Sequence, residues 1–105
     1  MAMKRDAESE KVLEARLVRL VAAEGGLAAK LSSQHHRGLP DRMVLTPGGG
    51  IRFVELKSTG RKPTALQLRA HERLRGLGFD VRVVDRTEQL DGLMAEIRAE
   101  RRAGR

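Results

Sequence analysis

The run Gly38-Leu-Pro-Asp-Arg-Met-Val-Leu-Thr-Pro-Gly-Gly-Gly-Ile-Arg-Phe-Val-Glu-Leu-Lys57 decides how the rest of this 105-residue chain is read. Met43 to Leu45 and Ile51 to Leu56 are rich in β-branched and large apolar residues, and Thr46-Pro-Gly-Gly-Gly50 between them carries turn chemistry. A β-hairpin is predicted. Pairing Leu45 with Ile51 sets Asp41 opposite Glu55, with Cβ atoms about 5 Å apart. Lys57, two residues past Glu55, shares its face. Three ionisable groups then converge on a strand pair otherwise apolar enough to be a core. A slip of one residue would send Asp41 to the other face.

Two carboxylates held that close repel unless a positive charge sits between them, and an oxygen-liganded divalent cation such as Mg²⁺ meets that need. The Lys57 ammonium beside it would orient or help activate a water, or hold a phosphate oxygen. The plainer alternative makes Asp41 a turn residue after Pro40, and Glu55 and Lys57 a surface ion pair on an edge strand.

Composition narrows the partners. Lys and Arg number 21 against 14 Asp and Glu, a net charge of +7 and a pI near 11.0, which points to a polyanion, nucleic acid first. An anionic membrane surface competes. No apolar run approaches the roughly 18 residues of a spanning helix, however, and the N-terminus lacks a secretory h-region, so a soluble, cytoplasmic protein is expected. Cysteine is absent, which excludes disulfides, thiolate zinc sites and cysteine nucleophiles. The two aromatic residues, Phe53 and Phe79, lie in apolar segments and are assigned to core packing. That leaves no exposed aromatics for base stacking, and favours backbone contact with duplex or junction through Arg and Lys. The length suits one domain, 1–105, with a core over about 9–97.

Along the chain, residues 1–8 are polar and expected to fray. Ser9 is a candidate N-cap for an amphipathic helix marked by Leu13, Leu17, Leu20 and Val21 and stopped by Gly25-Gly26. Glu10 and Glu14 share a face one turn apart, and either would reach a site beyond the helix start. Leu27 to Leu31 reads as a short strand, from which Lys30 would face the charged site. Ser32 to Gly38 is a polar loop containing the adjacent His35 and His36, a pair able to bind metal but, without a second cluster, read as a solvated segment or one that touches phosphate. Ser58-Thr-Gly-Arg-Lys62 is a basic loop, and Pro63 suits the first turn of the next helix. The buried stripe of that helix is predicted from Leu66, Ala70, Leu74 and Leu77, with Gly78 as its stop. Gln67 lies on its first turns and would position water or phosphate if the helix start abuts the hairpin. Phe79 to Val84 is a further strand, parallel to the Glu55 strand through a strand-helix-strand crossover. Thr87 is predicted to cap a last helix buried through Leu90, Leu93, Met94 and Ile97, with a basic tail fraying from Arg98.

This order of elements, with Glu10, Gly38-Leu-Pro-Asp-Arg42, Phe53-Val-Glu-Leu-Lys57, Gln67, and Leu74-Arg-Gly-Leu-Gly78 followed by Val81-Arg-Val-Val84, resembles the PD-(D/E)xK nuclease superfamily. Within it, the chain resembles the virus-type replication-repair nuclease (VRR-NUC) domain in its compact stand-alone phage form. The resemblance implies an α/β, restriction-endonuclease-like core: a small mixed β-sheet flanked by helices. It makes Asp41 and Glu55 ligands of Mg²⁺ or Mn²⁺, with the Leu56 carbonyl between them and Glu10 as a first-helix acid, preferred to Glu14 although helix phase does not settle the choice. Lys57 becomes the residue that orients water and stabilises the scissile phosphate, and Gln67 the helix glutamine near the site. Lys30, Arg37, Arg42, Arg61 and Lys62 are the expected DNA contacts. The implied activity is metal-dependent hydrolysis of branched or duplex DNA, in the manner of a Holliday junction resolvase, by a homodimer in a phage or bacterial cell. A non-catalytic nucleic-acid-binding module or repair-complex subunit keeping this fold is the alternative, and the same chemistry on another substrate a third.

Overall fold

The hairpin forms in the expected register. In the computed structural model, which describes residues 7–32 and 35–104, β2 (Arg42–Thr46) pairs antiparallel with β3 (Gly50–Leu56), and Leu45 lies opposite Ile51. Gly48 and Gly49 turn the chain at φ 88 and 86°, conformations that cost a glycine nothing. β1 (Leu27–Lys30) pairs antiparallel on the far side of β2, and β4 (Asp80–Val84) runs parallel to β3. The mixed sheet has the order β1-β2-β3-β4.

Alternation along the strands sorts their side chains between two unlike faces. On one, Ala28, Val44, Val54, Leu56 and Val84 meet helices α1 (Glu10–Ala23) and α3 (Thr87–Arg102). Leu13, Leu17, Val21, Leu90, Leu93, Met94 and Ile97 complete that core, each burial stabilising by roughly 2 kcal/mol. Arg52 also points there, buried between Asp80 and Glu100. The other face carries Asp41, Met43 and Leu45 of one hairpin arm and Ile51, Phe53 and Glu55 of the other, and α2 (Ala65–Gly76) crosses part of it.

Several local expectations are corrected. Ser9 does cap α1, accepting from the Val12 N–H at 3.2 Å. Thr87 does not cap α3: Arg86 holds that position, and the Thr87 N–H is instead taken at 2.8 Å by the carboxylate of Glu8. Glu8 is thereby anchored rather than frayed; residues 1–6 lie outside the described residues. α3 continues through Arg102 instead of fraying at Arg98, because Arg98 and Arg101 reach Glu24 at the end of α1. Pro63 precedes the Thr64 cap of α2 rather than opening its first turn.

The largest difference concerns α2. Its predicted stripe is not buried: Leu66 is 39% and Leu77 68% exposed, and His71 is the buried residue of the helix. The helix is turned by about one residue, roughly 100°, so that Gln67 and His71 face the sheet. Phe79 is likewise 39% exposed, set edge-to-face on Phe53 with ring centroids 5.5 Å apart.

Candidate active site

Asp41 sits just ahead of β2, and its backbone carbonyl accepts the Leu31 N–H at 2.9 Å, extending the β1–β2 ladder by one residue. Its side chain reaches across the hairpin, where Oδ2 accepts the Leu56 N–H at 2.8 Å. Gly38, three residues earlier, has φ 86°, and a Cβ there would stand 2.8 Å from the Leu66 carbonyl oxygen. Only glycine lets this loop pass so close to α2 on its way to Asp41.

Glu55 is the buried centre of the site, its side chain 1% exposed. Oε2 accepts from Gln67 Nε2 at 3.1 Å and lies 3.5 Å from Lys57 Nζ. The other oxygen, Oε1, has no hydrogen-bond partner and faces His71 Nε2 at 3.6 Å. Burial first, and then the charge of Asp41, push the Glu55 carboxyl up to about 7, although Lys57 pulls the other way. His71 is held below its ordinary value by burial and by the cations Arg75 and Lys57.

Gln67 is fixed by its own helix. Its Oε1 accepts the Thr64 N–H at 2.9 Å while Thr64 Oγ1 accepts the Gln67 N–H at 3.2 Å, a capping box that leaves the amide NH₂ free to point at Glu55. One residue serves both the helix start and the site.

The donor set fits a hard divalent cation. Two carboxylates meet where burial and mutual repulsion keep one of them half-protonated near neutrality, and one of its oxygens is orphaned; an oxygen-seeking cation relieves all three. Among the described residues no three His, Asp or Glu side chains close into a metal cage, so the remaining positions would fall to backbone carbonyl, water or phosphate oxygen.

No family model matches the chain. A solved structure described as "VRR_NUC domain" superposes with a TM-score of 0.78 at 38% identity, over 84% of this chain and 97% of that one. The protein named "Putative nuclease p44" of Acyrthosiphon pisum secondary endosymbiont phage 1 is 50% identical over 76 residues, 72% of this chain and 82% of its own length. The chain belongs to the VRR-NUC family.

The VRR-NUC fold brings Asp41, Glu55, Leu56, Lys57 and Gln67 together, and leaves other expected contributors elsewhere. Glu10 begins α1, its N–H on Ser58 Oγ at 3.3 Å, beside the loop that follows Lys57. Glu14 is tied to Arg42 at 2.9 Å, and Arg42 also donates to the Ala28 carbonyl at 2.9 Å. Arg42 and Lys30 are register partners on the face that carries Ala28 and Val44, so both lie on the opposite side of the sheet from Glu55. Arg37, Arg61 and Lys62 are exposed. His35 and His36 are exposed in their loop, and Ser33 and Gln34 lie outside the described residues.

His71 went unnoticed in the sequence as a site residue, and so did an open groove of about 570 Å³ along α2. Leu39, Leu66 and Leu77 line the groove together with Arg37, Arg69 and Arg73. The signal was present for both: Gln67 and His71 are four apart, one turn of helix, and Arg69 and Arg73 repeat that spacing.

Proposed function

We propose that the protein is a metal-dependent endonuclease that hydrolyses phosphodiester bonds in branched DNA, after the pattern of a Holliday junction resolvase. The observation that carries this reading is the convergence of Asp41, Glu55, Lys57 and Gln67 on one buried spot of a strongly basic chain. Asp41 and Glu55, with the Leu56 carbonyl, would hold Mg²⁺ or Mn²⁺. Bound there, the cation would lower the pKa of a water and offset charge developing on the phosphate. Lys57 presents an ammonium 3.5 Å from Glu55, placed to orient the attacking water in line with the scissile bond and to steady a phosphate oxygen. Gln67 holds the Glu55 carboxylate in position. The products expected are a 5′-phosphate and a 3′-hydroxyl.

The strand path that fits is the groove beside α2, where Arg37, Arg69 and Arg73 suit phosphates and where Leu39 and Leu66 lie two and one residues from Asp41 and Gln67, with Arg61 and Lys62 on the adjoining loop. Lys30 and Arg42, on the far side of the sheet, are dropped from that path.

The proposed assembly is a homodimer. Leu27, Leu45 and Ile51 form one registered row on the site-bearing face, and Ala29, Met43 and Phe53 the next. Leu27 is 59% and Ile51 42% exposed, on an uncharged surface in a chain of charge +7. Such a face suits a second copy better than a polyanion, and a twofold axis through it would set two sites on either side of one interface. Ile51→Glu should halve the mass measured by light scattering; an unchanged mass would place the contact elsewhere.

The experiment that tests the activity is cleavage of end-labelled four-way junction, flap, nicked and linear DNA with Mg²⁺, Mn²⁺ or EDTA. Metal-dependent cleavage of the junction, lost in Asp41→Ala and Glu55→Ala, supports the reading. A non-catalytic DNA-binding module that keeps this fold is the competitor. Junction binding without metal-dependent cleavage would establish it.

A further inference from the structure

The His71 side chain is fully buried, with both ring nitrogens free of hydrogen-bond partners. A buried polar group in that state costs about 1–3 kcal/mol, so a leucine would serve the packing better. The counterpart it faces is equally unusual: Glu55 Oε1 is buried, unpartnered and 3.6 Å from Nε2, just beyond hydrogen-bonding distance. Gln67, one turn earlier on α2, already holds the other oxygen of the same carboxylate at 3.1 Å. Two consecutive turns of one helix thus present one nitrogen to each oxygen of Glu55.

We propose that His71 is a positioning residue: its ring donates from Nε2 to Glu55 Oε1, and with Gln67 clamps the carboxylate in the plane that presents a lone pair towards Asp41. A shift of about half an ångström brings the 3.6 Å contact within hydrogen-bonding range. The clamp rests on the metal-site reading of Glu55 above, but not on the substrate.

The test is nitrogen-15 NMR of the histidine rings of the full chain, joined to Mn²⁺ titration by calorimetry. In the wild type the expected result is a proton on His71 Nε2, whose signal shifts in Glu55→Gln and on adding Mg²⁺. His71→Leu should weaken Mn²⁺ binding roughly 10-fold, the loss typical of a residue that orients a ligand. His71→Gln, which keeps a donor, should restore most of it. A proton on Nδ1 alone, or wild-type affinity in His71→Leu, would overturn the assignment. So would failure of His71→Gln to rescue, the outcome expected if Nε2 itself ligated the cation. The ring spectrum is read on the wild type, so it decides even if a variant misfolds. Wild-type spectra and affinities as expected, with no DNA cleaved, would support the clamp and overturn the nuclease reading instead.

Discussion

The carboxylate of Asp41 accepts the N–H of Leu56, the residue directly after Glu55, so the two hairpin arms are locked together by the same side chain that faces the site. This gives Asp41 a structural role beside the chemical one proposed for it, and the two separate by substitution. Asp41→Asn keeps an acceptor for Leu56 and should fold, yet lose cleavage at least 100-fold, about 2.7 kcal/mol of barrier. Asp41→Ala should also lose about 1 kcal/mol of stability. Denaturant melts alongside cleavage rates check both.

Glu55 makes stability fall as pH rises. Its carboxyl is raised from 4.5 to about 7 in the folded protein, so between those values the folded state keeps a proton that the unfolded chain has released. The stabilisation is complete below pH 4.5 and lost as pH climbs through about 7. Melting in EDTA across that range should show a decline that Glu55→Gln removes. Added Mg²⁺, which needs the ionised form, should stabilise more as pH rises.

Gln67 joins the cap of α2 to Glu55, and the two duties respond differently to Gln67→Glu. A glutamate still completes the capping box with Thr64, so the melting temperature should stay near that of wild type. Its charge against Glu55 removes the donor and adds repulsion, and cleavage should drop at least 10-fold, about 1.4 kcal/mol of barrier. Circular dichroism melts and cleavage rates on the same samples read both effects.

If the groove beside α2 carries a DNA strand, Arg69→Ala and Arg73→Ala should each weaken junction binding and lower the slope of log affinity against log salt by about 1. Arg42→Ala, on the far side of the sheet and paired with Glu14, should leave that slope unchanged. Binding titrations at several salt concentrations without divalent metal distinguish the two sets.

The hairpin and its acids were legible because strand alternation, turn glycines and register are local signals, and Leu45 against Ile51 suffices to align Asp41 with Glu55. The parallel crossover to β4 was legible for the same reason: one helix between two apolar strands leaves little choice. The facing of α2 was not. Its leucines make the more apolar stripe, but the helix is held to the sheet by polar bonds from Gln67 to Glu55 and from Arg75 to the Val81 carbonyl, which hydropathy does not register. His71 was hidden similarly, set among charged neighbours in a sequence that looks solvated. Lys30 was assigned to the wrong face because the segment between β1 and β2 does not fix their relative register. The pairing of Arg42 with Glu14 joins residues far apart in the chain and has no local signature.

Asp41 and Glu55 are proposed to form one divalent-cation site beside Lys57. Calorimetric titration of Mn²⁺ into wild type, Asp41→Asn and Glu55→Gln at pH 8 tests it without any nucleic acid. The wild type should bind Mn²⁺ saturably, and either substitution should abolish that binding while the fold survives. Binding of equal strength in all three proteins would contradict it.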